Sequence, residues 1–388
     1  MFSPSPYGWI SQYFLGAFFA YGVYLPFWAL WFEGQGISAS DIGFLLGLAF
    51  ATRFIANLFI TPRLHKVEHL LPAIRLISLL SAVFIGFHLI AGGNFWMLVV
   101  ATILFNMCYG PMIPLSDGLA NYYSKLKLLD YGRTRLWGSI AFIAGSSVVG
   151  YLVAQFGSDM IIYTALFGMA IGFVFSMRKI DPMPVSESSA DSERPKLLSL
   201  LKDREVLAFL IVISLIHGSH SAYYSFSSIH WKAAGHAESI IGYLWSLGVI
   251  AEITVFATAK RLFAGWSLQR MFFIASLGCL ARWCLTAGTT EIWALVLIQL
   301  LHGVTFAMAH LAAIQFIQKA PTNQMVPLQA LYNAIPMGAV IAVMTTVSGW
   351  GYENYGANVF WAMAVMGLIA CFIRVESKKP AQEPQIQS

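Results

Sequence analysis

Residues 117–139 read DGLANYYSKLKLLDYGRTRLWGS and join two long apolar runs of the chain. Asp117 lies at the end of the first run, a short basic loop follows, and Arg135 enters the second run. Charged side chains inside a bilayer are costly and by default indicate function. The stretch therefore predicts a hairpin of two membrane helices whose ends carry an acid and an arginine that face each other.

The composition of the whole chain is typical of a membrane protein. Of its 388 residues, 58% are hydrophobic and 11% are charged, and the mean hydropathy is +0.69. Soluble domains carry about 25% charged residues, so we interpret the chain as a polytopic helical membrane protein. The net charge of +5 does not indicate nucleic-acid binding, because the placement of the basic residues follows membrane topology.

The cysteines and the N-terminal residues argue against a disulfide or metal framework and against a signal peptide. The four cysteines lie inside apolar runs and form no CxxC pair, so we expect no disulfide framework, no metal site and no cofactor. The first ten residues, MFSPSPYGWI, contain neither Lys nor Arg and no small-residue cleavage site. They are predicted to lead into the first membrane helix rather than to form a signal peptide.

Apolar runs long enough to span a membrane need roughly 20 residues. The sequence contains twelve, at 9–32, 40–60, 70–91, 95–120, 134–156, 159–178, 205–231, 239–260, 268–288, 291–318, 325–350 and 354–374. Between the sixth and seventh lies PMPVSESSADSERPK, whose composition predicts a flexible linker. We therefore predict a six-helix bundle at 1–178, a cytoplasmic linker at 179–204, a second six-helix bundle at 205–375 and a cytoplasmic tail at 376–388.

The basic residues predict the orientation. If the N-terminus is cytoplasmic, all but three of the 23 Lys and Arg residues fall in cytoplasmic segments or at the adjoining helix ends. Lys232 falls in an outside loop, and Arg53 and Arg282 fall within helices. Because Lys and Arg accumulate on the cytoplasmic side, both termini are predicted to be cytoplasmic.

A short pattern repeats in the two halves of the chain. Residues 31–45 read WFEGQGISASDIGFL, and residues 231–244 read WKAAGHAESIIGYL, with the same spacing of two glycines. Arg53 stands ten residues after Gly43 in the first half, and Glu252 stands ten residues after Gly242 in the second. Six plus six helices in parallel repeats is the architecture of the major facilitator fold, with a binding site near the midplane between the halves. The predicted fold is thus an all-α membrane protein with pseudo-twofold symmetry.

Polar side chains within the predicted spans are the candidate functional groups. They are Arg53, Asp117, Glu252 and Arg282, together with His88, His217, His220, His302 and His310. His217, His220, His302 and His310 have no carboxylate or Cys at metal-ligand spacing, so a proton-relay or hydrogen-bond role is favoured over a metal site. Each group also has a structural alternative: Arg53 in an interhelix pair, Asp117 in a helix-end salt bridge with Arg135, and His88 as a core residue.

Aromatic residues near these groups are candidates for the wall of a binding cavity; the alternative for each is a side chain that faces lipid. They are Trp28, Tyr223, Tyr224, Phe226 and Trp245. The sequence contains no P-loop, no dinucleotide fingerprint and no HExxH, so we expect a transporter driven by an ion gradient and not an enzyme. An intramembrane enzyme that uses the histidines, a passive channel and a sensor remain as alternatives.

The segment DYGRTRLWGS at 130–139, with Asp117 eighteen residues before Arg135, resembles the proton-coupled lactose permease branch of the major facilitator superfamily. The resemblance implies a substrate role for Asp117 and Arg135. It also implies a proton-coupling role for Glu252, Arg282 and His302. The chain departs from that branch at two positions: Thr305 stands where the resemblance implies the principal proton-carrying acid, and Gln299 where it implies a lysine. Proton coupling is therefore expected to be redistributed, with His310 and His220 as further candidates.

A denser resemblance is to the phenylpropionate–proton symporter group of enteric bacteria, and it covers residues 9–374. It rests on VYLPFWALWFEG, FATRF, PLSDGLAN, LDYGRTRLWGSIAF, HSAYYSFSSIHWKAAG and GYLWSLGVIAE. The resemblance implies uptake of 3-phenylpropionate, a small aromatic carboxylate, together with protons. Arginine can bind a carboxylate through two hydrogen bonds, and aromatic walls suit a phenyl ring.

These observations give the functional hypothesis: a monomeric symporter of the bacterial inner membrane that takes up an aromatic carboxylate with protons by alternating access. The expected substrate-binding residues are Arg135, Asp117, Arg53, Tyr223, Tyr224 and Trp28. The expected proton-coupling residues are Glu252, Arg282, His302, His310 and His220. The expected partners are the substrate, protons and membrane lipid. The alternative within transport is a proton-coupled sugar or nucleoside symporter of the same fold.

Overall fold

The computed structural model describes residues 4–64, 66–185 and 197–375, and these residues form helices and turns without a β-strand. The helices of the first half are α1 (Pro6–Gly34), α2 (Ala39–Phe59), α3 (Val67–Ala91), α4 (Phe95–Lys125), α5 (Tyr131–Phe156) and α6 (Met160–Ser176). A short helix, α7 (Leu197–Leu200), precedes the second half. The remaining helices are α8 (Arg204–Gly218), α9 (Ser221–Ala233), α10 (Glu238–Leu262), α11 (Leu268–Gly288), α12 (Ile292–Leu300), α13 (Ala309–Lys319), α14 (Thr322–Ala334), α15 (Ile341–Tyr355) and α16 (Val359–Cys371).

Polar side chains at the N-termini explain where several of these helices begin. The side chain of Ser5 accepts a hydrogen bond from the Gly8 amide, and Pro6 occupies the first turn of α1, where its missing N–H costs nothing. Asp130 caps α5 through the Arg133 amide at 2.8 Å. The local sequence therefore sets these helix starts before any tertiary contact forms.

Ten helical segments are long and apolar enough to cross a membrane. One of them, Asn323–Cys371, is 49 residues long and contains a 3-10 turn at Gly356–Asn358. The apolar helix Met160–Ser176, with 17 residues, is shorter than these ten. Counting Asn323–Cys371 as two crossings and adding Met160–Ser176 would reproduce the twelve spans, a count that stays a prediction. The all-helical membrane fold itself is confirmed.

The chain divides into two compact units that do not follow chain order. Unit 1 comprises Met1–Ser189, Ala222–Val249 and Ala342–Gly356, and unit 2 comprises Ala190–Ser221, Ile250–Ile341 and Ala357–Ser388. The sequence-based boundaries at 178, 204 and 375 stay predictions. Residues 186–196 of the predicted linker and the tail 376–388 lie outside the described residues.

Within unit 1, segments from the second half of the sequence pack tightly on helices of the first half. A Cβ atom at Gly43 of α2 would lie 2.8 Å from the backbone nitrogen of Gly349 in α15, so the two backbones are in direct contact. The Ser246 hydroxyl of α10 lies 2.9 Å from that of Ser146 in α5. Small residues let membrane helices approach this closely, which explains why these segments belong to unit 1.

Candidate functional site

The Arg53 guanidinium lies inside unit 1, with a hydrogen bond on one side and a nitrogen without a partner on another. Its Nε donates a hydrogen bond to Asn106 Oδ1 at 2.7 Å, and its Cζ lies 4.8 Å from the ring centre of Tyr24 and 5.0 Å from that of Tyr109. Its Nη2 is buried and has no hydrogen-bond partner. A buried donor without a partner is destabilising, so this guanidinium is prepared to receive an acceptor.

A small cavity adjoins Arg53. Its walls are aromatic and aliphatic apart from one serine and the guanidinium, and they comprise Tyr24, Leu25, Leu46, Ala49, Phe50, Arg53, Tyr224 and Ser225. Mostly apolar walls with a few placed polar groups are usual for small-molecule sites. The chemistry of this lining fits a small molecule with an apolar body and an anionic end.

Of the aromatic residues predicted to bind substrate, one lines the cavity and two lie outside its lining. Tyr224 lines the cavity. Tyr223 is buried and stacks on Trp245, with ring centres 4.6 Å apart. Trp28 is buried in an aromatic cluster, 4.9 Å from Tyr24 between ring centres. Trp28 and Tyr223 do not line the cavity but contact the lining residues Tyr24 and Tyr224, respectively. Tyr24, which the sequence analysis did not select, lines it.

Asp117 and Arg135 interact electrostatically, but among the described residues they form no ion pair within 4 Å, so the structure does not contain the helix-end salt bridge that was the structural alternative. Tyr131, the first residue of α5, interacts with both side chains. The Arg135 guanidinium lies 4.0 Å from the ring centre of Phe18, a cation–π distance. The Oδ1 atom of Asp117 is buried and has no hydrogen-bond partner. In the hairpin predicted from residues 117–139, Tyr131 thus interacts with both Asp117 and Arg135.

Unit 2 contains a fully buried arginine at the centre of a polar network. Arg282 of α11 has 0% exposure, and its Nε donates to the carbonyl oxygen of Ile298 at 2.9 Å. Its Nη1 contacts His302 Nδ1 at 2.9 Å and Thr305 Oγ1 at 3.2 Å, and its Nη2 donates to Gln299 Oε1 at 3.3 Å. A buried charge requires such hydrogen bonds to offset its desolvation. Gln299 and Thr305, the two positions at which the sequence departs from the resemblance, are direct partners of Arg282.

The contact with Arg282 determines the tautomer of His302. A guanidinium has only donors, so His302 Nδ1 must accept, and a neutral ring carries its proton on Nε2. That Nε2 lies 3.7 Å from Glu252 Oε2. The predicted set of Glu252, Arg282 and His302 is thus brought together in the order arginine, imidazole, carboxylate.

His220 joins the same network through Thr305. Its Nδ1 lies 2.8 Å from the carbonyl oxygen of Ile216 and must donate to it, so its Nε2, 3.1 Å from Thr305 Oγ1, accepts from the hydroxyl when the ring is neutral. Thr305 belongs to a π-helical turn, Gly303–Met308, a feature frequent at functional sites. A Cβ at Gly303 would lie 2.9 Å from the carbonyl oxygen of Ala251, so this glycine lets α10 bring Glu252 close to His302.

His310, the last of the predicted proton-coupling residues, lies in a second cluster of unit 2. Its Nδ1 is 2.7 Å from the Tyr332 hydroxyl, and His217 Nε2 is 3.1 Å from the same oxygen. The ring of Phe306 stands between His302 and His310, with ring-centre distances of 5.3 and 6.3 Å. The sequence analysis missed Tyr332, because a tyrosine in an apolar run carries no charge to mark it. No group of three or more metal-type ligands occurs within the described ranges.

The all-helical membrane fold and the two buried cationic sites define a multi-pass membrane protein built around polar groups. The family model described as "MFS_1 like family" matches residues 7–363, and the chain belongs to this family. The resemblance to the major facilitator superfamily is thereby confirmed. The chain is a membrane transporter of this type and not an enzyme.

Two curated relatives cover nearly the full length. The chain is 39% identical over 370 residues to the "Probable 3-phenylpropionic acid transporter" of Escherichia coli (strain K12), covering 94% of this chain and 96% of the relative. It is 24% identical over 378 residues to the "Maltose permease" of Geobacillus stearothermophilus, covering 96% and 95%. The name of the first relative contains the same acid as the group that the motifs resemble.

Solved structures share the fold at low sequence identity. The crystal structure of the nucleoside transporter NupG matches with a TM-score of 0.81 and 18% identity, covering 95% of this chain and 98% of that chain. A POT family transporter in complex with a thioalcohol-conjugated peptide matches with a TM-score of 0.71 and 12% identity. These similarities establish the transporter fold.

Proposed function

We propose that this transporter takes up a small aromatic carboxylate, with 3-phenylpropionate as the leading candidate, together with protons. The observation that carries the proposal is the buried, unpartnered Nη2 of Arg53 beside a cavity with aromatic and aliphatic walls. A carboxylate at this position would satisfy the guanidinium, and the phenyl ring would contact Tyr24, Phe50 and Tyr224. The name of the relative from Escherichia coli supports the same substrate class.

We assign proton coupling to Glu252, His302 and Arg282. Protonation of Glu252 removes the negative charge next to His302 Nε2, and this weakens the electrostatic attraction that the carboxylate exerts on the buried arginine. A change in this attraction is the kind of differential interaction that shifts a conformational equilibrium. Alternating access about a site between repeats is the corresponding transport mechanism. His220 and His310 are the further proton-carrying candidates.

Asp117 and Arg135 serve, in this proposal, as a substrate and gating element of the first half. The unpartnered Oδ1 of Asp117 and the partly exposed guanidinium of Arg135 leave both groups able to exchange partners, with Tyr131 between them. The protein acts as a monomer in the bacterial inner membrane, with lipid around it and both termini in the cytoplasm. Accessibility labelling of cysteines introduced near each terminus would test that orientation.

The test of the substrate class is uptake of labelled 3-phenylpropionate into membrane vesicles with and without an imposed proton gradient. We expect accumulation with the gradient, competition by other aryl carboxylates and no competition by sugars or nucleosides. Arg53→Gln should abolish saturable binding, Arg53→Lys should retain part of it, and Arg133→Gln, at an exposed arginine, should behave as wild type. Competition by nucleosides or sugars, or uptake independent of the gradient, would contradict the proposal.

A further inference from the structure

The Tyr332 hydroxyl connects two histidines of unit 2. Tyr332 is 1% exposed, and its oxygen lies 3.1 Å from His217 Nε2 and 2.7 Å from His310 Nδ1. His217 comes from α8, His310 from α13 and Tyr332 from α14. Three helices thus converge on a continuous hydrogen-bonded path of two imidazoles and one phenol.

The number of protons sets the direction of these hydrogen bonds. The phenol has one proton, so one imidazole nitrogen accepts it while the other imidazole donates to the phenol oxygen. His217 Nδ1 is buried and has no hydrogen-bond partner. A bare Nδ1 costs less than an unpartnered buried N–H, so the neutral His217 ring carries its proton on Nε2 and donates to Tyr332. Tyr332 then donates to His310 Nδ1, which agrees with the shorter of the two distances.

We propose that His217, Tyr332 and His310 form a proton-transfer path separate from the Glu252–His302–Arg282 set. A proton delivered by a hydronium ion that reaches the cluster binds His217 Nδ1, the Nε2 proton of His217 passes to the Tyr332 oxygen, and the Tyr332 proton passes to His310 Nδ1. His310, now an imidazolium, releases its Nε2 proton. Every atom is accounted for, since one proton enters and one leaves. The path runs from a fully buried ring to a partly exposed one.

Charged and titratable groups on the neighbouring helices couple this path to the first set. The ring of His217 lies 6.4 Å from that of His220, and Phe306 contacts His217, His302 and His310. His217 also interacts electrostatically with His302, which contacts Arg282 and Glu252. Like charges at such distances repel, so a proton on this path disfavours a second proton at His302. Simultaneous protonation of the path and of His302 is therefore disfavoured.

The inference rests on proton symport as proposed above, and Tyr332→Phe tests it because the substitution keeps the ring and removes the hydroxyl. Two quantities are measured in vesicles with labelled 3-phenylpropionate: accumulation driven by a proton gradient, and exchange between equal internal and external concentrations. Exchange requires no net release of protons. We expect accumulation to fall at least about tenfold, since a proton-transfer step is lost, while exchange stays within about twofold of wild type.

The matched control is Tyr13→Phe, which removes another buried tyrosine hydroxyl, bonded to Ser78 at 2.9 Å in unit 1. It should leave the ratio of accumulation to exchange unchanged. Unchanged accumulation in Tyr332→Phe, or an equal loss of accumulation and exchange, would overturn the inference. If Tyr332→Phe does not fold, His310→Gln is measured in the same way, because an amide keeps a hydrogen bond but does not pass a proton on.

A measurement without substrate separates this inference from the proposed function. Ring-nitrogen NMR of the purified, nitrogen-15-labelled protein should show His217 and His310 as neutral rings with the proton on Nε2, and Tyr332→Phe should change the signals of both. A His217 ring protonated on Nδ1 would refute the path even if symport is established. A wild-type protein with these tautomers but without proton-driven uptake would refute the proposed function instead.

Discussion

Replacing Arg282 by methionine, alone and together with Glu252→Gln, tests whether the buried arginine and the carboxylate act as one electrostatic unit. The guanidinium is 0% exposed and contacts His302 Nδ1 at 2.9 Å, and His302 Nε2 lies 3.7 Å from Glu252 Oε2. Arg282→Met alone leaves the buried acceptors Gln299 and His302 without their donor and deprives the partly exposed Glu252 carboxylate of its cation, and we expect a loss of about 1–3 kcal/mol in the free energy of unfolding. Glu252→Gln in the same background removes the negative charge that the arginine compensated.

The expected coupling follows from the geometry. The path from guanidinium to carboxylate through the imidazole is about 9 Å at most, which gives an attraction of about 2 kcal/mol at an effective dielectric constant of about 20. The double variant should therefore be less destabilised than the sum of the two single variants by about that amount. Pairs of residues in one network commonly show couplings of about 0.5–3 kcal/mol.

The assay is a double-mutant cycle on the free energy of unfolding of the protein in detergent micelles. The control cycle combines Arg282→Met with Ser267→Ala, which removes the N-cap of the same helix α11. Ser267 is about 22 Å away along the helix axis, so the control pair should be additive within about 0.5 kcal/mol. A coupling of Arg282 and Glu252 below about 0.5 kcal/mol would show that His302 does not link them.

Two further predictions concern unit 1. Asn106→Asp places a carboxylate next to Arg53 Nε, which in the wild type lies 2.7 Å from the Asn106 amide oxygen. Binding of 3-phenylpropionate should therefore weaken at least about tenfold, while binding of the neutral 3-phenylpropionamide should change little. Equal losses for both ligands in a binding assay would argue against a substrate carboxylate at Arg53. Gly43→Ala puts a methyl group 2.8 Å from the Gly349 nitrogen and should lower the free energy of unfolding by about 1–3 kcal/mol. Gly86→Ala, with open space around its Cβ, should raise the free energy of unfolding by up to about 1 kcal/mol. A higher free energy of unfolding for both variants would mean that α2 and α15 are not in contact.

Much of the candidate site was accessible to sequence reasoning because buried charge in a membrane segment is conspicuous. Arg53 and Glu252 follow from the repeated glycine pattern, and Arg282 and His302 from their intramembrane position. The structure brings Glu252, Arg282 and His302 together, with His302 in contact with the other two. Neutral partners escaped this reasoning. Asn106, which holds Arg53, looks in the sequence like any other polar residue in an apolar run.

The hairpin at 117–139 shows a second limit. Its sequence predicts two helices and an acid near an arginine, and α4 and α5 lie where expected. The sequence does not say that Tyr131 interacts with both charges or that the arginine lies over Phe18. Those contacts depend on the rotation of α5 against α1, which small differences in packing decide.

The sequence by itself determined the class of this protein, because hydropathy, run length and helix caps are properties of neighbouring residues along the chain. It also selected the charged residues, because a charge in an apolar run is visible without a structure. Only the tertiary structure decided the partners. The hydrogen bond between Arg53 and Asn106 joins residues 53 apart, and that between His217 and Tyr332 joins residues 115 apart. Such contacts exist only once the helices have packed, and they determine which nitrogen of each histidine carries the proton and which atom of Arg53 has no hydrogen-bond partner.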